Sequence, residues 1–102
     1  MSQPEKLTNN QKKYLRGIAH GLNPMIMIGA NGITESLMTE LESTLAHHEI
    51  LKIKIASADR DERKQMIEHI ISESGALLVQ SVGKICVIYR QNEETELPLP
   101  RN

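Results

Sequence analysis

The chain has 102 residues and a mass of 11.5 kDa, enough for one domain with one modest hydrophobic core, so multidomain machinery is excluded. Hydrophobic residues make up 39% of the chain and the only aromatic residues are two tyrosines, so the core must consist mainly of Ile, Leu, Val and Met. The single cysteine, Cys86, excludes an intramolecular disulfide and fits a reducing compartment. The polar N-terminus does not resemble a signal peptide and no apolar run approaches about 20 residues, so we expect a soluble, cytoplasmic protein without a membrane partner.

Charge is distributed unevenly along the chain. The net charge of −1, taken alone, argues against a polyanion-binding protein, because such domains are usually strongly basic. However, the segment from Lys6 to Thr34 contains no Asp or Glu and has a formal charge of +4, which leaves −5 for the rest of the chain. An anionic partner is therefore expected to dock on this N-terminal segment.

A first helix is predicted from about Thr8 to His20. Thr8 followed three residues later by Gln11 is a capping-box pattern. Apolar residues then recur at helical spacing, namely Leu7, Tyr14, Leu15, Ile18 and Leu22. A separate arc of the same helix is cationic and consists of Lys12, Lys13, Arg16 and His20. Gly21 is expected to end the helix in the left-handed conformation, and Asn23-Pro24 supports this break because Pro24 disfavours helical backbone at the residue before it.

A short strand, a glycine loop and a second helix are predicted next. The apolar run Met25–Ile28 lies between a proline and a glycine, which favours a buried strand over a helix of that length. Residues Gly29 to Gly32 form a tight loop. Thr34 is predicted to cap a helix that ends at His48.

The next strand is predicted to have one buried and one basic face. Leu51–Ile55 alternates between apolar and charged residues at a period of two, which is typical of a strand that is buried on one side. Lys52 and Lys54 then lie on the solvated side. They are candidates for contact with an anion, and the alternative is that they only keep the strand soluble.

The remaining residues predict a third helix, a terminal hairpin and a tail. The predicted elements are a helix capped by Asp59 or Asp61 that runs to about Glu73 and is closed by Gly75, strands Ala76–Val82 and Ile85–Arg90, and a turn at Gly83-Lys84. From Gln91 the chain is acidic and contains proline, with no periodic pattern to pack.

The element order α-β-α-β-α-β-β predicts a single α+β domain with a four-stranded mixed sheet. Crossovers through the second and third helices allow parallel neighbours, whereas the terminal hairpin must be antiparallel. We interpret residues 1–7 as an N-terminal extension, 8–90 as the domain and 91–102 as the C-terminal tail.

The sharpest local signal is the loop Gly29-Ala30-Asn31-Gly32 between a strand and a helix. Two glycines let the backbone approach a ligand closely, and the start of the following helix favours an anion. The spacing does not match a Walker loop or a dinucleotide fingerprint, but it is the size of loop that clamps single-stranded nucleic-acid backbone. The alternative is a tight connection that only glycine fits.

Other residue types narrow the classes of function. The cationic arc of the first helix has no acidic residue within helical reach, so an external anion would relieve its repulsion, although exposed cations on a solvated helix are also common. The scattered histidines give no metal geometry, Cys86 lies in an apolar alternation typical of a core, and no triad or carboxylate pair is evident. We therefore expect no cofactor, no metal, no small-molecule substrate and no enzymatic activity. With few aromatic residues, recognition is expected to use backbone and shape rather than stacked bases.

Three segments together resemble the CRM domain, the RNA-binding module of chloroplast splicing factors and ribosome-maturation proteins. The segments are Lys12-Lys13-Tyr14-Leu15-Arg16, Met27–Glu35 and His47–Lys54. The similarity covers about residues 8 to 90. It is closest to the stand-alone bacterial YhbY-type proteins and includes the tail sequence Leu97-Pro98-Leu99-Pro100-Arg101.

The resemblance implies a fold like the C-terminal domain of translation initiation factor three, with the glycine loop and the basic face of the first helix in contact with RNA. It also implies association with precursors of the large ribosomal subunit, through rRNA backbone, and a role in their assembly. Many relatives carry Lys or Arg inside the glycine loop, whereas this chain has Ala30 and Asn31, so the first helix would supply the charge. The predicted RNA-binding residues are Lys12, Lys13, Arg16, His20, Gly29, Ala30, Asn31, Gly32, Lys52 and Lys54.

Two other functions remain as alternatives. One is a protein-interaction adapter that uses an edge or a face of the sheet. The other is a small hydrolase or transferase that acts on nucleotides. High salt distinguishes the first from RNA binding, because phosphate contacts weaken in salt and an apolar interface does not.

Overall fold

A computed structural model describes residues 6–56, 59–92 and 99–100. The elements in this part of the chain are α1 (Asn9–His20), β1 (Ile26–Ile28), α2 (Glu35–His48), β2 (Ile50–Ile55), α3 (Arg60–Ser74), β3 (Leu77–Val82) and β4 (Ile85–Tyr89). Their order and types are those predicted, which confirms an α+β domain of three helices and four strands.

The strands form one mixed sheet in the order β1-β2-β4-β3. β1 and β2 are parallel neighbours joined through α2, whereas β4 runs antiparallel to both β2 and β3. From β2 the chain passes through α3 to the far edge and returns through the hairpin into the centre. Of the two helical crossovers, the one through α2 joins neighbouring strands, whereas the one through α3 joins β2 to β3, which are separated by β4.

One face of the sheet, termed the covered face, is packed by both α2 and α3. The alternation of β2 points Leu51, Ile53 and Ile55 towards these helices, as the sequence pattern predicts. The buried residues of this layer are Ile26, Ile28, Leu41, Leu45, Leu51, Ile53, Ile55, Ile67, Ile70, Ala76, Cys86 and Ile88. This layer holds most of the hydrophobic core.

The opposite face, termed the α1 face, is packed by α1 over only part of its area. The buried residues there are Leu7, Leu15, Ala19, Ile50, Val79, Val87 and Tyr89. Met27 pairs in register with Lys54, and Val82 with Ile85, so these four residues also lie on the α1 face. Met27 and Val82 are each 61% exposed, which shows that α1 leaves this part of the sheet open.

Each helix begins at a predicted cap. The side chains of Thr8, Thr34 and Asp59 accept hydrogen bonds from backbone N–H groups three residues further on. At Thr8 the side chain of Gln11 also accepts the N–H of Thr8, at 2.9 Å, which completes the predicted capping box. These local signals fix where the chain enters each helix.

The ends of α1 and α3 differ from each other. Gly75 has φ 71° and closes α3 in the left-handed conformation. Gly21 has φ −87°, so the prediction that it ends α1 in the left-handed conformation is wrong. The Lys52 ammonium instead donates to the carbonyl oxygens of Ala19 at 3.2 Å and Leu22 at 3.0 Å. The backbone N–H groups of Gly21 and Leu22 also donate to the carbonyls of Ile18 and Ala19 in right-handed turns, so the end of α1 needs no left-handed cap.

The C-terminal tail contacts the domain at both of its described stretches, although its sequence has no periodic pattern. The side-chain amide of Asn92 donates to the carbonyl of Ala46 at 2.7 Å. Leu99 packs against the α1 layer, and the buried Gln11 donates to the carbonyl of Pro100 at 2.7 Å. The rest of the predicted tail, 93–98 and 101–102, and residues 1–5 of the predicted extension lie outside the described residues.

Candidate nucleic-acid interface

The predicted cationic residues of α1 form one continuous stripe, termed the basic stripe, made of Lys12, Lys13, Arg16 and His20. Their spacings of three and four residues place them on neighbouring turns of one side of the helix. Lys13, Arg16 and His20 are exposed and Lys12 is half-buried, so the stripe is not packed against the sheet. No acidic residue occurs in α1, so no carboxylate of its own helix neutralises the stripe.

The two predicted lysines of β2 have different roles. Lys52 is half-buried, and its ammonium is held by the carbonyls at the end of α1. Lys54 is also half-buried, but within the described ranges its ammonium has no hydrogen-bond or ion-pair partner. Lys52 therefore ties α1 to the sheet, although its positive charge is not paired with a carboxylate, and Lys54 is the lysine of this strand whose ammonium has no partner among the described residues.

A cleft of about 450 Å³, termed the α1 cleft, lies between the second half of α1 and the open part of the sheet. Arg16 and Lys52 contribute its cationic side chains, and the imidazole of His20 lies beside them. The other lining residues are Gly17, Ala19, Gln80, Val82, Ile85 and Val87. Among the described residues no carboxylate lines this cleft, so the electrostatic potential in the cleft is positive.

The glycine loop, residues 29–32, is a turn closed by one backbone hydrogen bond, from the N–H of Gly32 to the carbonyl of Gly29 at 3.0 Å. Gly32 has φ 68°, a conformation that glycine adopts without strain. Ala30 and Asn31 are exposed at the tip. Some of the N–H groups expected for an anion are already used, because Gly32 closes the turn and Leu37 bonds to the cap of α2.

The strand register connects the glycine loop to the basic stripe. The end of α1 is tied to Lys52, two residues before Lys54 on the same face of β2. Lys54 pairs with Met27, and the loop begins two residues after Met27. The register therefore places Lys52, Lys54 and the start of the glycine loop in succession along the sheet, whereas the end of the loop at Gly32 lies near Met66 of α3.

Lys84 is a cation near this surface that sequence analysis treats only as part of a turn. The N–H of Ile55 donates to the Lys84 carbonyl at 2.8 Å, and Ile55 pairs with Ile28, the residue before the glycine loop. Lys84 is exposed. The turn between β3 and β4 thus adds a positive charge at the loop end of the sheet, and only the strand order, which the sequence leaves open, reveals this proximity.

Two further clefts are lined by carboxylates. A cleft of about 770 Å³ between α3 and β3 is lined by Asp61 and Glu68 as well as by basic residues. A cleft of about 540 Å³ between α2 and α3 is lined by three glutamates, Glu35, Glu42 and Glu73. Carboxylates repel phosphate, so neither cleft suits a polyanion as well as the α1 cleft does.

Cys86 is buried on the covered face, which confirms its prediction as a core residue. Burial raises the pKa of its thiol from 9.0 to about 12, so the thiol stays protonated at neutral pH. Within residues 6–56, 59–92 and 99–100, no group of three or more His, Cys, Asp and Glu is arranged to hold a metal ion. No helix in these ranges has both the length and the apolar character needed to cross a membrane.

Comparison with known proteins identifies relatives along nearly the whole chain. The chain is 46% identical over 95 residues to an RNA-binding protein of Haemophilus influenzae, which covers 93% of this chain and 96% of that one. It is 42% identical over 86 residues to a probable RNA-binding protein of Pseudomonas aeruginosa, which covers 84% and 83% of the two chains. These relatives match the present chain in length as well as in sequence.

The fold is similar to a solved solution structure from Staphylococcus aureus. The two superpose with a TM-score of 0.78 at 36% sequence identity, over 92% of this chain and 99% of that one. Residues 7–90 match the family model of the CRS1 / YhbY (CRM) domain, which spans all the helices and strands described above. The chain therefore belongs to the CRS1/YhbY (CRM) domain family.

Proposed function

We propose that this protein binds RNA through the basic stripe, the α1 cleft and the glycine loop. The observation that carries the proposal is the charge of the α1 cleft, where Arg16, His20 and Lys52 meet and, among the described residues, no carboxylate intrudes. Lys and Arg neutralise phosphates, and such contacts supply most sequence-independent affinity for nucleic acids. The names of the Haemophilus relative, an RNA-binding protein, and of the Pseudomonas relative, a probable RNA-binding protein, support the same class of ligand here.

The parts of the proposed interface make different contributions to RNA binding. The basic stripe and Lys54 provide charge along the α1 face, while the glycine loop lets a sugar-phosphate chain approach the backbone closely. Ala30 and Asn31 add no charge, so the affinity contributed by the loop depends on shape and hydrogen bonding. Holding RNA in this way requires no chemical step, and we propose that the protein is not an enzyme.

We further propose that the RNA is rRNA in precursors of the large ribosomal subunit and that the protein assists their assembly in the cytoplasm. The support is the resemblance to YhbY-type proteins, together with membership of the CRM family. A small domain that reads backbone and shape suits rRNA, whose folded surface presents phosphates in fixed arrangements. The lone thiol of Cys86 is compatible with a reducing compartment.

Charge reversal on the basic stripe tests the RNA proposal. The double variant Lys13→Glu/Arg16→Glu is expected to lower affinity for a labelled large-subunit rRNA fragment by about a hundredfold at low salt, because two attractive contacts become repulsive. Both side chains are exposed, so the melting temperature should change little. Affinity is measured by fluorescence anisotropy and folding by circular dichroism.

The matched control is Arg60→Glu/Lys64→Glu, which makes the same change in net charge at exposed positions of α3. It should weaken RNA binding by less than about fivefold at moderate salt, where distant charges are screened. Equal losses in the two double variants would mean that total charge, and not the stripe, determines binding. A stripe variant that melts early would show that these residues stabilise the fold.

Sedimentation of cell lysates through sucrose gradients tests the role in assembly. The wild-type protein is expected to migrate with precursors of the large subunit, and the Lys13→Glu/Arg16→Glu variant to remain at the top of the gradient. Wild-type protein that binds rRNA in vitro but migrates only with small-subunit particles would contradict the proposed partner while leaving RNA binding intact.

A further inference from the structure

The floor of the α1 cleft is apolar although its rim is cationic. Val82, Ile85 and Val87 form this floor, and Val82 is 61% exposed. Met27, also 61% exposed, continues the apolar surface beyond Lys54 on the same face. Phosphate groups gain nothing from such a surface. Contiguous apolar surface that is left open beside polar groups is typical of a binding site.

Gly17 forms part of the wall of this cleft and lies in the interior of the 12-residue α1. Glycine is less favourable inside a helix than every residue except proline. Folding does not require it here, because a Cβ at Gly17 would meet no atom within 4 Å apart from its chain neighbours and the backbone of its own helix, among the described residues. The backbone conformation is ordinary right-handed helix. Gly17 therefore weakens the helix, and because it has no side chain it leaves the cleft open beside Arg16.

We propose that the α1 cleft holds one unpaired nucleotide of RNA, with its base on the apolar floor and its sugar-phosphate against Gly17 and the cationic rim. This inference rests on the proposed function and makes it specific for single-stranded RNA. The charge of the site complements a phosphate, since Arg16, His20 and Lys52 are joined by no carboxylate among the described residues. Apolar side chains are suitable partners for the face of an unstacked base.

The dimensions of the cleft fit a single nucleotide. Its volume of about 450 Å³ lies within the range of small-ligand sites, roughly 300–1,000 Å³. A base inside a duplex is covered by its stacked neighbours and cannot reach the floor of a cleft. A duplex could therefore contact only the cationic rim, so the proposal predicts a preference for unpaired RNA that charge alone would not produce.

The test compares Gly17→Gln with Gly17→Ala. Glutamine fills the cleft without adding charge, whereas alanine makes the same backbone change and adds one methyl group. Both should fold, and alanine should raise the melting temperature by about 4–8 °C. Gly17→Gln is expected to weaken binding of a labelled, unstructured 12-nucleotide RNA by about tenfold or more, and Gly17→Ala by less than about threefold. The wild-type protein should bind that strand about tenfold more tightly than a hairpin duplex of equal length.

Arg16→Gln separates failure of this inference from failure of the proposed function. If Gly17→Gln binds the single strand like the wild type, or if the wild type binds duplex equally well, the nucleotide site is refuted. If Arg16→Gln weakens binding in that same experiment, the RNA-binding function stands without it. If neither Arg16→Gln nor Gly17→Gln weakens binding, both proposals fail.

Discussion

The two faces of the sheet are built from the same strands, but they differ in how completely they are covered. On β2, the side chains of Leu51, Ile53 and Ile55 point into a layer closed by two helices. Lys52 and Lys54 alternate with them and point to a face that a single helix covers in part. The side chains that form the core and those proposed to contact RNA thus alternate along one strand, and substitutions on the two faces should have separable effects.

Cysteine reactivity should show the largest contrast between the faces. Burial raises the pKa of Cys86 to about 12, so at pH 8 its thiolate fraction should be about a thousandfold lower than that of an ordinary thiol. Alkylation of native protein by iodoacetamide should accordingly be slower by that factor or more. In a Cys86→Ala background, Val82→Cys on the α1 face should react at the rate of a free thiol. Fast labelling of native Cys86 would show that the covered face opens.

The same thiol predicts the pH dependence of stability. In the unfolded chain the thiol ionises near pH 9.0, whereas the folded protein keeps it protonated up to about pH 12. Ionisation above pH 9 therefore favours the unfolded chain, and the free energy of unfolding should fall as the pH rises from 9 towards 12. Urea titrations of wild-type protein and Cys86→Ala at pH 8 and pH 10.5 measure this difference. The alanine variant should lose less stability over the same interval.

Truncation on the covered face should reduce stability more than RNA affinity. Ile53→Ala removes a fully buried side chain from the layer under α2 and α3 and should lower the free energy of unfolding by about 2–5 kcal/mol. The protein that remains folded should bind RNA with nearly wild-type affinity, because Ile53 points away from the α1 face. Urea denaturation and anisotropy measure the two quantities. If folded Ile53→Ala protein bound RNA much more weakly than the wild type, the two faces of the sheet would be energetically coupled.

Two substitutions on the α1 face should distinguish a lysine that supports the fold from one that is available to RNA. Lys52→Met removes the side-chain hydrogen bonds to the carbonyls of Ala19 and Leu22, and should lower the free energy of unfolding by about 1–3 kcal/mol. Lys54→Met loses no such bond within the described residues, so its stability should change by less than about 0.5 kcal/mol. Thermal and urea melts of both variants provide the measurement.

The RNA affinity of Lys54→Met completes the comparison. Lys54→Met should weaken binding and make the slope of log affinity against log salt shallower by about 0.7, the value for one lost contact with single-stranded RNA. An unchanged slope would exclude Lys54 from the interface. A Lys52→Met variant that is as stable as the wild type would show that α1 does not depend on this lysine for its position.

Local sequence signals predict most of the fold. The caps at Thr8 and Thr34, the alternation of β2 and the hairpin at Gly83 each depend on residues close together in the chain, and the structure contains all of them. The basic stripe is equally local, because helical spacing alone places Lys12 and Arg16 on one side.

Local sequence patterns do not predict features that depend on contacts between segments far apart in the chain. The end of α1 is bonded by Lys52, which lies 30 or more residues away, and closes in right-handed turns, so the prediction of a left-handed Gly21 is wrong. The α1 cleft and the position of Lys84 near the glycine loop both require the strand order β1-β2-β4-β3, which alternation and turn signals do not specify. The role that we propose for Gly17 likewise depends on the open space beside it in the folded protein, which the sequence does not show.

The glycine loop offers the smallest predicted effect and the most direct way to extend the charged face. Ala30 is exposed at the tip and its φ is not positive, so a lysine there should leave the turn unstrained. Ala30→Lys adds one cation to a loop that has none, and should raise RNA affinity by about threefold at low salt and steepen the salt slope by about 0.7.

The matched control for the loop is Ala46→Lys, which adds the same charge at an exposed position near the other end of α2. It should leave the salt slope unchanged, because a charge far from the RNA releases no counterions on binding. If both lysines steepen the slope equally, the loop has no special contact with RNA and the interface is confined to α1 and β2. If only Ala30→Lys does so, the phosphate chain passes the tip of the loop, and the α1 face is in contact with RNA from the helix to the end of β1.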